Sequence, residues 1–181
     1  MQTLESLLKK GTTILKDNGL EEAGLDAWLL LEYKTGKNRA YYFAHGDEPV
    51  SDETAAEYLT LIDRRAGHIP VQQLTHQAFF MGYEFYVNEN VLIPRQDTET
   101  LVELVLNEQK DRNCSILDMC TGSGCIAISL KKLGGYRHVE GADISEKALK
   151  VAKKNAEDFL GMDRDTELVS VKNCADTPEQ N

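Results

Sequence analysis

A glycine-containing turn in the second half of the sequence has the residue types and spacing of a ligand-binding loop. It follows an apolar segment at 115–119 that is typical of a strand, and a helix is predicted directly after it at 124–133. A helix that opens from a strand leaves backbone N–H groups without partners, and these can bind polar atoms of a nucleotide-type ligand. Glycines have no Cβ, so such a ligand can approach the main chain closely. The turn consists of Thr121, Gly122, Ser123, Gly124 and Cys125.

Two cofactor classes fit this turn. Residues 122–127 match the dinucleotide fingerprint G-x-G-x-x-A, and Asp143 lies 19 residues after Gly124, where an acid would bind ribose hydroxyls. Asp118 favours a different ligand, because it ends the strand segment just before the turn. A carboxylate there disfavours a pyrophosphate and favours the ammonium and sulfonium groups of S-adenosylmethionine. The sequence thus favours S-adenosylmethionine over a nicotinamide cofactor.

Asp143 and Ile144 come directly after a second predicted strand at 138–142. A carboxylate at Asp143 can accept two hydrogen bonds from a ribose diol, and Ile144 can pack against an adenine ring. The structural alternative for Asp143 is a helix N-cap shared with Ser145. The alternative for Asp118 is capping of the amides of the turn itself, which is compatible with cofactor binding.

The elements that must position these residues alternate between strand and helix. Strands are predicted at 115–119, 138–142 and 167–171, and helices at 124–133 and 146–159, the second of them capped by Ser145. This βαβαβ order predicts an α/β fold with a parallel sheet and right-handed crossovers. Ligands of such sheets bind at the carboxyl ends of the strands, where the turn lies.

The first 75 residues are predicted to form a small helical bundle. One helix ends near Asn18, and a second, apolar on more than one face, ends near Gly36. Ser51 is a good N-cap for a further helix that ends before Gly67. The inner side of that helix is predicted to hold Ala55, Tyr58, Leu59 and Ile62.

An aromatic-rich segment centred on Gly82 predicts a β-hairpin that links the bundle to the sheet. The next helix is predicted to be capped by Asp97 or Thr98, with an inner face of Leu101, Leu104 and Val105. The predicted domains are therefore a helical domain at 1–75, a hairpin linker at 76–96 and a sheet domain at 97–181.

Composition excludes several classes of protein. The chain has 181 residues with 20 basic and 30 acidic side chains, and its net charge of −10 excludes an ordinary nucleic-acid binder. No apolar run approaches the roughly 20 residues that cross a bilayer, and the N-terminus lacks the pattern of a signal peptide, so we expect a cytoplasmic protein without membrane contact. Four cysteines and four histidines have no ligand spacing, which predicts no metal site.

Three segments together resemble a known family. Residues 92–99 (Leu-Ile-Pro-Arg-Gln-Asp-Thr-Glu), 116–124 and 142–145 are similar to those of HemK-type (PrmC) protein-glutamine methyltransferases. The pattern I-P-R-x-x-T-E ahead of the glycine turn is the more specific part of the match. The resemblance implies a Rossmann-like class I methyltransferase domain that uses S-adenosylmethionine. It implies methylation of the side-chain amide of the Gln in the Gly-Gly-Gln motif of peptide chain release factors, which the helical domain would recognise.

The resemblance also assigns roles to residues. The cofactor loop of the family falls on residues 121–125 and its ribose-binding acid on Asp143, with Asp118 and Ile144 beside them. An adenine-side contact falls loosely on Asp176 or Thr177. Further candidates are Arg95, which could anchor the linker or meet the substrate, Thr98, and one hairpin ring such as Phe80. Cys120 stands where the family usually has a small residue such as Gly, and Gln96 where it usually has Pro.

The family motif Asn-Pro-Pro-Tyr, which holds the substrate amide, does not occur in the sequence. We therefore expect a truncated methyltransferase domain, no catalytic residue within these 181 residues, and little or no activity of this chain alone. An unpaired strand edge beside Ile116 and Leu117 would favour self-association. Two alternatives remain: a non-catalytic module that binds a translation factor, and a nicotinamide-dependent oxidoreductase.

Overall fold

The structure, a computed structural model, describes residues 2–161 and divides after Thr75 into two compact units. Each unit has its own buried apolar core. The third predicted strand at 167–171, together with Asp176 and Thr177, lies outside the described residues.

The first unit is predominantly helical, as predicted. Its elements are β1 (Gln2–Thr3), α1 (Leu4–Asp17), α2 (Ala23–Thr35), α3 (Arg39–Ala44), β2 (Pro49–Val50), α4 (Asp52–Ala66) and α5 (Val71–Thr75). The three predicted helices are confirmed as α1, α2 and α4, because Asn18 and Gly36 are the C-caps of the first two and Ser51 is the N-cap of the third. A short antiparallel pair of β1 and β2 was not predicted.

The core of this unit contains side chains from α1, α2 and α4. Leu7, Leu30 and Ile62, one from each helix, are completely buried. Tyr58 of α4 is also buried, and its hydroxyl donates to the carbonyl oxygen of Ala27 at 3.2 Å. This hydrogen bond satisfies the polar end of a ring that otherwise supplies apolar area to the core. Burial raises the pKa of Tyr58.

The inner face of α4 differs at one position from the predicted face. Ala55, Tyr58 and Ile62 are buried as predicted, but Leu59 is half-buried and Leu61 is buried. Leu61 lies three residues after Tyr58 and so continues the same face by one helical turn.

The second unit begins with the hairpin and continues into alternating strands and helices. Its elements are β3 (Gln77–Phe80), β4 (Tyr83–Tyr86), α6 (Gln96–Glu108), β5 (Ser115–Met119), α7 (Cys125–Gly134), β6 (His138–Ala142) and α8 (Glu146–Leu160). The predicted hairpin is confirmed: β3 and β4 are antiparallel, and Met81 and Gly82 form a two-residue turn with φ of 51° and 77°. Positive φ at both central residues matches the twist of the flanking strands.

Strands β5 and β6 are parallel, as the βαβ order predicts, and their register pairs Asp118 with Gly141. Both predicted strands are confirmed, and α7 and α8 lie within one residue of their predicted bounds, with Ser145 as the N-cap of α8. Within residues 2–161, β5 pairs with β6 alone. Self-association through the other edge of β5 stays a prediction.

Two predictions for α6 are wrong: the residue at its N-cap and part of its inner face. Its N-cap is Arg95, so that Asp97 and Thr98 lie inside the first turn. Leu101 and Leu104 are 49% and 50% exposed. The buried residue is Val102, with Val105 and Leu106 packed partly against the core. Positions 102, 105 and 106 repeat at three and four residues just as 101, 104 and 105 do, so periodicity alone could not choose between the two faces.

In the part of the chain that the structure describes, no helix is both long enough and apolar enough to span a membrane.

Gly11 provides a test of the packing between α1 and α4. A Cβ at Gly11 would overlap the Tyr58 hydroxyl. We expect Gly11→Ala to lower the free energy of unfolding by about 1–3 kcal/mol, because overpacking outweighs the gain in helix propensity. Urea denaturation of the 181-residue chain measures this change.

The matched control is Gly24→Ala in α2, where nothing lies within 4 Å of the added Cβ. This substitution should raise the free energy of unfolding by about 0.5–1 kcal/mol. Similar effects of the two substitutions would contradict the proposed close contact.

Candidate functional site

The glycine turn between β5 and α7 depends on three residues with positive φ. Cys120, Gly122 and Gly124 have φ of 63°, 55° and 80°. The amide of Thr121 donates to the carbonyl oxygen of Ala142 at 2.9 Å, which fastens the start of the turn to the end of β6. The main chain therefore reverses sharply at the carboxyl edge of the sheet, where the sequence predicts a ligand.

Gly124 is required both by conformation and by space. It is the N-cap of α7 in the left-handed region, and a Cβ there would lie 3.0 Å from Cδ1 of Ile128 and 3.3 Å from Cβ of Ala152. Only glycine therefore adopts this conformation without strain and lets the turn approach α8 so closely. The N-terminus of α7 begins directly behind the turn.

Asp118 is held against the turn. The Thr121 hydroxyl donates to Oδ2 of Asp118 at 2.7 Å. Burial raises the pKa of Asp118; the Thr121 hydroxyl and the Ala127 amide oppose this shift, and the negative charge of Asp143 adds to it. The carboxylate thus accepts from a side-chain hydroxyl of the turn, whereas the sequence interpretation was capping of the amides of the turn, and it brings negative charge to the turn.

Asp143 links the end of β6 to the same turn. One of its carboxylate oxygens accepts from the Gly122 amide at 2.9 Å, and the other accepts from the Ser145 amide at 2.9 Å. The N-cap of α8 is Ser145, whose hydroxyl accepts from the Ala148 amide at 3.2 Å, so Asp143 binds the cap residue and not an amide of the helix. The contact of Asp143 with Gly122 was not predicted. Ile144, which follows, is 80% exposed and available for contact with a ligand.

Two residues that sequence reasoning missed support the turn. A Cβ at Gly141 would lie 2.8 Å from the Thr121 hydroxyl oxygen, so this glycine leaves room for the buried Thr121. A glycine inside a strand was the signal for a close approach. Asn155 of α8 is 1% exposed, and its Nδ2 donates to the Ser123 carbonyl at 2.8 Å. A polar residue on the buried face of an amphipathic helix was the signal there.

The charge of the site is negative. Within the described range, neither Asp118 nor Asp143 forms an ion pair with Lys or Arg. Burial raises the pKa of the Cys125 thiol to about 11, so that group is neutral near pH 7. Among residues 2–161, His, Cys, Asp and Glu side chains form no cluster suited to a metal ion.

The remaining candidates lie in the segments before the turn. Arg95 is exposed at the start of α6, and Thr98 is half-buried within it. Phe80 is 0% exposed and packs edge-on against Phe85 with ring centroids 6.2 Å apart. This burial favours the interpretation of Phe80 as hairpin packing. Glu99, which lies in α6 next to Thr98, accepts from the Met81 amide of the hairpin at 2.7 Å.

The parallel strands, the glycine turn and the acidic residues at the strand ends, Asp118 within the last two residues of β5 and Asp143 directly after β6, define a Rossmann-like methyltransferase region. Residues 96–179 match the family model described as ribosomal protein L11 methyltransferase (PrmA). Residues 6–75 match the model of the PrmC N-terminal domain. With the relatives described next, these matches confirm the resemblance to the PrmC-type family that the sequence indicates.

The similar curated proteins are named release factor glutamine methyltransferase. One from Leptospira interrogans is 39% identical over 161 residues, covering 88% of this chain and 56% of its own length. One from Moorella thermoacetica is 40% identical over 156 residues, covering 85% and 55%. One from Bacillus subtilis is 35% identical over 162 residues, covering 87% and 56%. The chain thus spans about half the length of the curated relatives it matches.

The raised pKa of Asp118 predicts a pH-dependent stability. The folded chain binds this proton more tightly than the unfolded chain, so the stabilisation is complete below the ordinary pKa of 3.8 and is lost as pH rises through the raised value. We expect the free energy of unfolding of Asp118→Asn to increase relative to wild type across that window. Urea denaturation at a series of pH values measures the difference.

Glu140→Gln is the control for the loss of one acidic charge, because Glu140 is exposed on β6. If the difference between Asp118→Asn and wild type did not change with pH, or changed as it does for Glu140→Gln, burial of the Asp118 carboxylate would not be the cause.

Proposed function

We propose that the turn binds S-adenosylmethionine and that the whole protein transfers its methyl group to the side-chain amide nitrogen of the Gln in the Gly-Gly-Gln motif of a release factor. The observation that carries the proposal is the pair of carboxylates, Asp118 and Asp143, which flank the glycine turn without a cationic partner within residues 2–161. The curated relatives, named release factor glutamine methyltransferase, support the substrate.

The residues of the turn fit this cofactor. Each carboxylate oxygen of Asp143 accepts one backbone hydrogen bond and keeps acceptor capacity for a ribose diol. Ile144 offers an exposed apolar side chain to an adenine ring, and Gly122 has no side chain over the turn. When bound, S-adenosylmethionine supplies a methyl group on a positively charged sulfur. Asp118 and Asp143 provide the negative field that this charge favours.

The acceptor chemistry needs groups beyond this site. An amide nitrogen is a poor nucleophile, so an enzyme must orient it, with hydrogen-bond acceptors for both of its N–H groups. In the resembled family the Asn-Pro-Pro-Tyr motif supplies these acceptors, and the 181 residues do not contain it. We propose that this chain binds the cofactor and does not transfer the methyl group by itself.

The helical unit is the proposed recognition element for the release factor. The match of residues 6–75 to the PrmC N-terminal domain supports this assignment. The net charge of −10 disfavours direct binding to nucleic acid. The proposed compartment is the cytosol, and the free thiols of Cys114, Cys120 and Cys125 agree with reducing conditions.

Cofactor choice is tested by calorimetric titration of the chain with S-adenosylhomocysteine and, separately, with NADH. We expect binding of the first and none of the second. Titration with S-adenosylmethionine should show about tenfold weaker binding for Asp118→Asn, which removes a negative charge that favours the sulfonium, and for Asp143→Asn, which removes the charged acceptor for the ribose diol. Glu140→Gln is the control and should bind as wild type does.

Tighter binding of NADH than of S-adenosylhomocysteine would support the oxidoreductase alternative and overturn the proposal. Unchanged affinity in both aspartate variants would show that the ligand binds elsewhere.

Methyl transfer is tested with labelled S-adenosylmethionine and a release factor domain that contains Gly-Gly-Gln. We expect label on the glutamine with a preparation that includes the Asn-Pro-Pro-Tyr segment, and none with the 181-residue chain. Replacement of the substrate Gln by Asn should abolish labelling. Robust turnover by the 181-residue chain would contradict the proposed need for that segment.

A further inference from the structure

The carboxamide of Asn155 connects two segments that are far apart in sequence. Its Oδ1 accepts from the Tyr86 amide at 2.8 Å, and its Nδ2 donates to the Tyr86 carbonyl at 2.9 Å and to the Ser123 carbonyl at 2.8 Å. Tyr86 ends the second hairpin strand, and Ser123 lies inside the glycine turn. One buried side chain therefore bonds both the hairpin and the turn.

These hydrogen bonds make Asn155 hard to replace. Both amide hydrogens and the carbonyl oxygen are used, and the amide and carbonyl of Tyr86 are satisfied as a neighbouring strand would satisfy them. A leucine of similar volume would leave three backbone groups without these partners, and each unsatisfied buried group costs about 1–3 kcal/mol. The position therefore selects a carboxamide rather than an apolar side chain.

The hairpin is also held at its other end. The Met81 amide, at the hairpin tip, donates to Glu99 of α6. Val87, just after β4, is buried in a cluster with Ala148 and Val151 of α8. The hairpin is thus fixed at its tip by a carboxylate and at its base by Asn155, and only the base is bonded to the turn.

We infer that Asn155 is a positioning residue that couples the hairpin to the cofactor turn, an inference that rests on the proposed cofactor site. By holding the Ser123 carbonyl, it sets the orientation of the peptide groups from Gly122 to Gly124. A change in the hairpin is transmitted through Tyr86 and Asn155 to the turn. Cofactor affinity then depends on a residue that does not itself touch the cofactor.

The test combines hydrogen exchange with cofactor titration on the 181-residue chain. Asn155→Ala should accelerate amide exchange at 122–125 and at 84–87 and weaken binding of S-adenosylhomocysteine by about tenfold. Asn155→Asp keeps the acceptor for the Tyr86 amide but loses the donors to the Tyr86 and Ser123 carbonyls. It should accelerate exchange more at the turn than at 84–87, where the Tyr86 amide keeps its partner. If Asn155→Ala does not fold, Asn155→Asp provides the test in its place.

The matched control is Tyr136→Phe, which removes a hydroxyl that donates to the Val105 and Gln109 carbonyls at 3.1 and 2.8 Å. It destabilises the same unit without touching the turn. We expect it to lower overall stability and to leave affinity and exchange at 122–125 unchanged. Equal effects of Tyr136→Phe and Asn155→Ala on the turn would overturn the inference.

A double-mutant cycle tests whether a change in the hairpin reaches the glycine turn through Asn155. Glu99→Ala loosens the hairpin tip and should weaken cofactor binding when Asn155 is present, but should add little in the Asn155→Ala background. Additive effects would indicate two independent structural roles and overturn the coupling. If wild type binds no S-adenosylhomocysteine, the proposed function fails. In that case amide hydrogen exchange at 122–125, measured in wild type, both single variants and the double variant, decides whether the hairpin and the turn are coupled.

Discussion

The backbone of the glycine turn is held by hydrogen bonds to three residues, one at the end of β6, one just after it and one in α8, and the geometry of the site depends on them. Thr121 is bonded to the end of β6, Gly122 to the carboxylate of Asp143, and Ser123 to the carboxamide of Asn155. A turn with three positive φ angles would otherwise have many accessible conformations. These bonds select one of them, and the position of every candidate ligand group follows from that selection.

The turn also binds two acids, because the Thr121 hydroxyl donates to Asp118 and the Gly122 amide donates to Asp143. Burial raises the pKa of Asp118, and the charge of Asp143 raises it further, so the folded chain keeps an unfavourable charge near the turn. Such an arrangement is typical of a site that a positively charged ligand completes.

The sequence predicts those parts of the fold that local rules determine. The strand before the turn follows from the spacing of its apolar residues, and the caps Asn18, Gly36 and Ser51 follow from capping chemistry. The acids at the ends of β5 and β6 follow from their position in the chain. The inward face of α6 could not be predicted, because two overlapping sets of positions have the same spacing and only packing distinguishes them. Asn155 was missed for a related reason: its partners lie 69 and 32 residues away.

The left-handed backbone conformation at Cys120 has a consequence for which substitutions the turn can accept during evolution. A non-glycine residue in the left-handed region carries strain of about 1 kcal/mol, yet the thiol is exposed and the geometry uses the backbone angle there rather than the side chain. One nucleotide separates the codons of cysteine and glycine. Exchange of these two amino acids would therefore relieve or restore strain while the glycine turn keeps its shape.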